Sequence, residues 1–498
     1  LWDNFVLAAM FLILCCPGTF ACAQSEPKLD STPGKLEQKV ERLTAAMAQA
    51  QAQIEADQKQ LLELRLQLIE LQREMAEEKT APPATKAETA KSCTVQASSC
   101  VSATLNEIKE QQAIEGSQIA TLDMTKVETE SKYPLKVSGL ILFNGFVNTR
   151  QVDIAASPAY ALPGSGSTGL SLRQTVLGLD ARGPHLFGAT SHADLRVDFF
   201  AYAAQSSYAS SGVLRMRTAH AEFNWQNTEA FVELDRAILE PNAPSSLVAV
   251  GQPELAWAGN LWSWNPQAGV SHQFVLSDAS RIKAQAALID TSDPQPPGYA
   301  SAPAPATQTE LSRWPGTEAR IAFQHGENGI GPEIGVGGYF SPHRTLEGDR
   351  FDAWAGTVDL RLPLTRHFEI TTNAYRGQAL AGLGGGGYVN YLYQYFGSTE
   401  VARALSDAGG WTQLKARAGK RVEMNTGYGI DNPFAKEIQA AALSYPELAR
   451  NRSFFSNAIF SPSAYLLFSL EYKRLWSNYN TGPTNFSDVI GIGAGYRF

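Results

Sequence analysis

Two hydrophobic rhythms divide this chain. The first is a heptad. Leu36, Val40, Leu43, Met47, Ala50, Ile54, Asp57, Leu61, Leu64, Leu68, Leu71 and Met75 are spaced alternately by four and three, and eleven of the twelve are apolar. A sustained 3.5-residue period predicts a coiled coil. At ~1.5 Å per residue its rod is on the order of 60 Å long, too narrow to bury its own stripe, so it implies self-association in two or three strands. Asp57 interrupts the seam, either as a register setter or as a locally hydrated layer.

The second rhythm is alternation by two, beginning near Lys136. ADLRVDFFAYA sets Leu195, Val197 and Phe199 against Asp194, Arg196, Asp198 and Phe200. RIKAQAAL sets Ile282, Ala284, Ala286 and Leu288 against Arg281, Lys283 and Gln285, and TVDLRLPL behaves alike. The segment DVIGIGAGYRF puts Ile490, Ile492, Ala494, Tyr496 and Phe498 on one wholly apolar face. Period-2 patterns predict strands. Sixteen are expected, at 136–149, 168–182, 186–203, 214–226, 228–239, 261–277, 280–290, 317–326, 332–341, 349–364, 367–378, 409–419, 421–431, 451–461, 464–477 and 487–498. The fourth breaks its own phase. Arg215 and Arg217 share a face with Phe223 and Trp225, which calls for a bulge or a polar contact.

Alternation alone suits either a sandwich with an apolar core or a barrel with an apolar exterior. The connections decide. Long segments such as SDPQPPGYASAPAPATQTELSRWPG alternate with short ones such as GPH, QN, SDA, TR, GK and PS. An even-stranded transmembrane β-barrel with long outer loops and short periplasmic turns requires that. The expected fold is therefore all-β, a 16-stranded antiparallel transmembrane β-barrel with an N-terminal α-helical coiled coil. Sixteen strands leave an aqueous lumen.

Composition agrees. Charged residues make up 18% of the chain and Gly and Pro are abundant, unlike a helical bundle or a disordered chain. FVLAAMFLILCC followed by Ala21-Cys22-Ala23 reads as a secretory signal peptide, residues 1–23, although it lacks a basic start; a lipidated Cys22 is the lesser alternative. A coiled-coil trimerisation stalk occupies 24–80, a linker with weak helix 81–133 and the barrel 134–498. Cys93 and Cys100 are the cysteines left after the signal, and an oxidising compartment makes them a disulfide candidate, within the CTVQASSC loop or between chains. Residues 24–133 hold 13 basic and 18 acidic groups and 134–498 hold 28 and 30, so neither part has the footprint of a nucleic-acid binder.

A cleaved signal, a short coiled coil, a linker and a sixteen-stranded barrel finishing in Tyr-Arg-Phe resembles the DcaP-like porins. That resemblance implies a homotrimer in the bacterial outer membrane, surrounded by outer-membrane lipid, with the coiled coil in the periplasm. It implies passive diffusion of small hydrophilic solutes, anionic ones such as dicarboxylates among them. Tyr496 and Phe498 then match the signal that the barrel-assembly machinery recognises.

Pore-lining candidates follow from strand phase: Arg196, Arg281, Lys283, Arg320, Arg361, Lys415, Arg417 and Arg421, with Lys473 and Arg497. The acidic set is Asp194, Asp198, Glu233, Asp235, Glu318, Asp359, Glu423 and Glu471. Near-equal numbers predict that most are paired across the wall, with Lys415, Arg417 and Arg421 the most suggestive cluster. The segment 240–260 occupies the place of an infolding constriction loop, or of a loop packed at the trimer top.

An enzyme is not expected. No HExxH or GxSxG accompanies the seven histidines, and GLGGGGY lacks the Lys-Ser or Lys-Thr of a phosphate loop, reading instead as a flexible outer loop. No cofactor or metal is implied. The alternative is a structural tether whose stalk reaches toward peptidoglycan in the cell wall.

Overall fold

The computed structural model describes residues 126–127, 134–201, 212–293, 306–326, 331–441 and 448–498. The signal segment, the heptad stalk, Cys93 and Cys100 lie outside them, as does the linker apart from 126–127.

Strands β1 (Lys126–Val127), β2 (Leu135–Val152), β3 (Ala161–Ser171), β4 (Val176–Leu186), β5 (Ala189–Ala201), β6 (Val213–Asn224) and β7 (Thr228–Arg236) come first. Then follow β8 (Trp264–Ser277), β9 (Ser280–Ile289), β10 (Gly316–His325), β11 (Glu333–Arg344), β12 (Arg350–Pro363) and β13 (Phe368–Gln378). A separate hairpin, β14 (Tyr391–Phe396) and β15 (Thr399–Ala404), precedes β16 (Ser406–Ala418), β17 (Val422–Asp431), β18 (Leu448–Phe460), β19 (Leu466–Tyr479) and β20 (Asn485–Arg497).

Eighteen strands share one sheet, and β20 pairs back onto β2, which closes it. The two-residue β1 merely caps β2. β3 and β4 both run antiparallel to β2, β3 along Asn144–Val152 and β4 along Leu135–Leu140. They are two lengths of one strand position, broken at 172–175. The circuit therefore has sixteen positions, all antiparallel, and they match the sixteen strands that alternation predicts. Closure removes the exposed edges that an open sheet would present.

The alternation sorts the faces. Ile141, Phe143, Val270, Phe274, Ile321, Val336, Val358, Met424, Phe468, Leu470, Ile490 and Ile492 are each at least 38% exposed and point outward. Asn144, Gln267, Asp359, Asn373, Gln413, Asn425, Asn457 and Ser477 are buried on the inner face. The barrel is inverted relative to a soluble protein, and an outward apolar belt of this kind requires lipid. No helix among the described residues is long and apolar enough to cross a membrane; the strands provide the span. Phe498 N donates to Gly139 O and Gly139 N to Phe498 O, both at 3.0 Å, and the Phe498 ring occupies the space a side chain at Gly139 would need.

The expected bulge in β6 is present. Arg196 pairs with Thr218 and Val197 with Met216, so Arg217 is the extra residue. The phase flips there. Arg215 turns inward to Asp198 at 2.7 Å while Leu214 and Met216 face out.

Candidate functional site

The lumen is not empty. Residues 237–263, between β7 and β8, fold into it and are tied to strands around the circuit. Thr357 Oγ1 donates to Leu239 O at 3.2 Å, and Trp411 Nε1 to Glu240 Oε1 at 2.8 Å. Ser245 N reaches Gln413 Oε1 at 2.7 Å, and Asn457 Nδ2 holds Ser245 O at 2.9 Å. Asn144 Nδ2 holds Leu247 O at 3.2 Å. Gln174, in the gap between β3 and β4, accepts from Val250 N and Gly251 N at 2.6 and 2.7 Å and donates to Val248 O at 2.7 Å. Asn451 Nδ2 holds Trp257 O at 2.8 Å. The inward Asn and Gln side chains thus satisfy loop backbone that would otherwise be buried unpaired.

Space for the loop comes from glycine. A Cβ on Gly337 would meet Leu239 at 2.8 Å, and one on Gly491 would meet Val248 at 2.5 Å. At Gly429 it would collide with Ala258 O. Leu255 (φ 60°) and Trp257 (φ 58°) adopt left-handed backbone, rare for such residues. Their anchors explain why. Leu255 packs with Trp411 and Phe455, and Trp257 stacks on Tyr388 with centroids 3.7 Å apart. An ion pair, Lys473 Nζ to Glu254 at 2.6 Å, fastens the loop to β19. Glu240 is 1% exposed, and burial pushes its carboxyl up to about 8 against the pull of the Trp411 N–H.

The glycine-rich segment near Gly382 departs from the flexible-loop reading. Ala381–Leu383 and Gly386–Tyr388 form two 3-10 turns and residues 380–387 are buried. Gly386 N donates to Asp407 at 2.9 Å, and Gly387 N to Asp431 at 2.9 Å. The glycines serve left-handed turns at Gly384, Gly386 and Gly387 rather than mobility.

The candidate charges fall on the inner face, but they differ in access. Arg196 meets Asp180 at 2.5 Å, and Arg361 lies 3.7 Å from Glu333. Lys415 and Arg417 each stand 3.6 Å from Glu423, and Arg417 also lies 3.9 Å from Glu369. Among the described residues, Arg281, Lys283 and Arg421 have no carboxylate within 4.0 Å. Arg320 is different. It is 2% exposed, gripped by Asp359 at 2.6 and 2.9 Å and by Glu333 at 2.7 Å, so its guanidinium braces the wall instead of facing water. Sequence phase could place it inward but could not show that its neighbours enclose it.

Acidic groups are densest on β5–β7, which present Asp194, Asp198, Glu222, Glu229, Glu233 and Asp235 inward beside Arg196, Arg215 and His220, while Arg281, Lys283, Arg361, Lys415 and Arg417 lie on β9–β16 among Glu318, Glu333, Asp359 and Glu369. On the acidic side His220 sits between Asp194 at 3.0 Å and Asp235 at 3.1 Å, an arrangement that sequence phase left unread. Asp180, His192 and Asp194 bring ligand atoms within 4.8 Å of one another. Arg196 already supplies the cation there.

A closed sixteen-position barrel with an apolar belt, a polar lumen and an infolded loop is the porin architecture. Among solved structures, the chain is similar to the outer membrane channel DcaP of Acinetobacter baumannii, with TM-score 0.56, 14% identity, and 75% of this chain and 100% of that one covered. It is also similar to an anion-selective porin from Comamonas acidovorans (TM-score 0.46, 9% identity, covering 74% and 100%) and to OprB of Pseudomonas putida (0.46, 11%, 77% and 97%). The fold is thus the one that the sequence resemblance implied. No family profile matches the chain, and no curated protein does.

Proposed function

We propose that this chain is an outer-membrane porin through which small hydrophilic solutes diffuse passively. The observation that carries this reading is the loop 237–263, held inside the polar lumen of an apolar-coated barrel, where it narrows the path through the barrel. The finer reading is a homotrimer registered by the periplasmic coiled coil, with anionic solutes such as dicarboxylates preferred. Arg281, Lys283 and Arg421, without carboxylate partners among the described residues, and the looser Arg361, Lys415 and Arg417 support it as inward cations, of which Lys415, Arg417 and Arg421 lie across the circuit from the acid-rich β5–β7 stretch. Tyr496 and Phe498 are proposed as the signal to the barrel-assembly machinery, and Cys93 and Cys100 as a disulfide. Planar-bilayer recording of the refolded protein tests this. Conductance closing in threes, with a reversal potential favouring anions, is the expected result. Absence of conductance from a barrel that remains heat-modifiable on gels would overturn the channel.

A further inference from the structure

The outer wall carries a feature that diffusion through the lumen does not use. Near the long-loop rim, Arg452 on β18, Arg474 and Trp476 on β19, and Phe486 on β20 share the outward phase of the apolar belt. Arg150, near the end of β2, lies 4.2 Å over the Phe486 ring. Arg474 lies 5.2 Å from Phe486 and 5.4 Å from Trp476, and Arg452 lies 5.9 Å from Trp476. Guanidinium and ring alternate across four adjacent strands.

The row is under-neutralised. Among the described residues its one carboxylate is Asp488, which meets Arg474 Nη1 at 3.2 Å and also accepts from the Tyr472 hydroxyl at 2.7 Å. The Nε–H groups of Arg452 and Arg474 are buried with no acceptor among the described residues, while Arg452 Nη2 donates to Asn478 Oδ1 at 3.3 Å. Three cations facing one anion among the described residues leave a surplus positive charge at the edge of a membrane surface, which attracts anionic headgroups there. Phe486 and Tyr496 are ten residues apart on β20. At ~3.4 Å per residue and a tilt of ~40°, that spans about 26 Å, the height of a barrel's apolar belt. The row therefore stands where acyl chains give way to headgroups. At the other rim of the same strands, Phe460, Phe468 and Tyr496 are exposed, and among the described residues no guanidinium lies over any of them.

We propose that the row Arg150–Phe486–Arg474–Trp476–Arg452 binds the phosphate of a phosphorylated lipid headgroup in the leaflet at the long-loop face. The guanidiniums donate to phosphate oxygens and the rings rest at the acyl boundary. A second copy of the chain is a poorer occupant, because cations at the headgroup boundary are matched by anionic headgroups without any subunit contact, and the oligomer outcome below separates the two. The inference rests on the membrane-embedded barrel of the proposed function, but not on its conductance or selectivity.

The test uses the full chain in phosphatidylcholine nanodiscs doped with diphosphoryl lipid A, with retained lipid counted by native mass spectrometry. At about fivefold per basic residue lost near the surface, the double variant Arg452→Gln/Arg474→Gln should retain lipid A about 25-fold less tightly. The parent should bind the fully dephosphorylated lipid as weakly as that variant binds lipid A. Millimolar inorganic phosphate should not displace the lipid. Equal retention by variant and parent, or equal binding of the dephosphorylated lipid, overturns the proposal. So does displacement by free phosphate, which would mark an anion site. Loss of oligomer with lipid still bound would make the occupant a second copy and overturn it too. Heat-modifiability checks folding, and the single variants Arg452→Gln and Arg474→Gln, each expected to bind lipid A about fivefold less tightly, replace the double variant if its barrel fails to form. Bilayer conductance recorded in parallel separates failure of this site from failure of the channel.

Discussion

Lys473 and Glu254 meet at 2.6 Å, the ammonium from the barrel wall and the carboxylate from the infolded loop, and neither is more than 4% exposed. A pair so deeply buried holds its loop through mutual need. Removing one partner strands the other charge, typically at about 3–5 kcal/mol, whereas replacing both with apolar groups can be nearly neutral. Glu254→Gln or Lys473→Met alone should free the loop, raise open-channel noise and lower the temperature at which the barrel loses its gel shift. The double variant Glu254→Leu/Lys473→Met should recover most of that loss. If it is worse than either single change, the pair is not what fastens the loop.

The glycine lining makes a steric prediction. Gly429→Val and Gly491→Val should drive the loop off the wall toward the lumen axis, because their Cβ positions are already taken by Ala258 O and Val248. Single-channel conductance should fall in both. Gly356→Val, whose Cβ would have nothing within 4 Å, is the control and should conduct as the parent does.

Arg281, Lys283 and Arg421 should govern charge preference more than Arg320 does. Neutralising the three to Gln should shift the reversal potential under a salt gradient toward cations, with little loss of stability, since each is solvated. Arg320→Gln should behave oppositely. It leaves buried Asp359 uncompensated and should impair folding by about 3–5 kcal/mol. A selectivity change without destabilisation at Arg320 would contradict the geometry.

Glu240 predicts a pH dependence. Its folded value, about 8, lies above that of an unfolded carboxyl, because burial disfavours the charge. The native state thus holds its proton to higher pH, and stability is lost as pH rises through that window. Thermal loss of the gel shift, followed from pH 5 to 9, should come earlier at the alkaline end, and Glu240→Gln should flatten the slope. An unchanged slope in the variant would remove Glu240 as its source.

Much of this was legible in the residues. Alternation at Leu195–Phe200 or Ile490–Phe498 is a local property, and it placed strands and faces without knowledge of neighbours. The same local logic flagged Arg215 and Arg217, since cations cannot share a lipid-facing phase with Phe223 and Trp225, and the bulge at Arg217 resolves the conflict.

What the sequence by itself determined was therefore the barrel, its sixteen strand positions and the sign of each face. The tertiary structure decided what each inward residue meets. Asn451 and Trp257 are 194 residues apart and share a hydrogen bond, and no local pattern marks either as the other's partner. Arg320 and Arg281 have the same phase, yet register sets one between Asp359 and Glu333 and leaves the other open. The glycines near Gly382 read as slack and became tight turns because Asp407 and Asp431 wait beside them. Periodicity is written by near neighbours along the chain. Enclosure, charge pairing and the loop's path depend on which strands closure brings together, and on where register stops them.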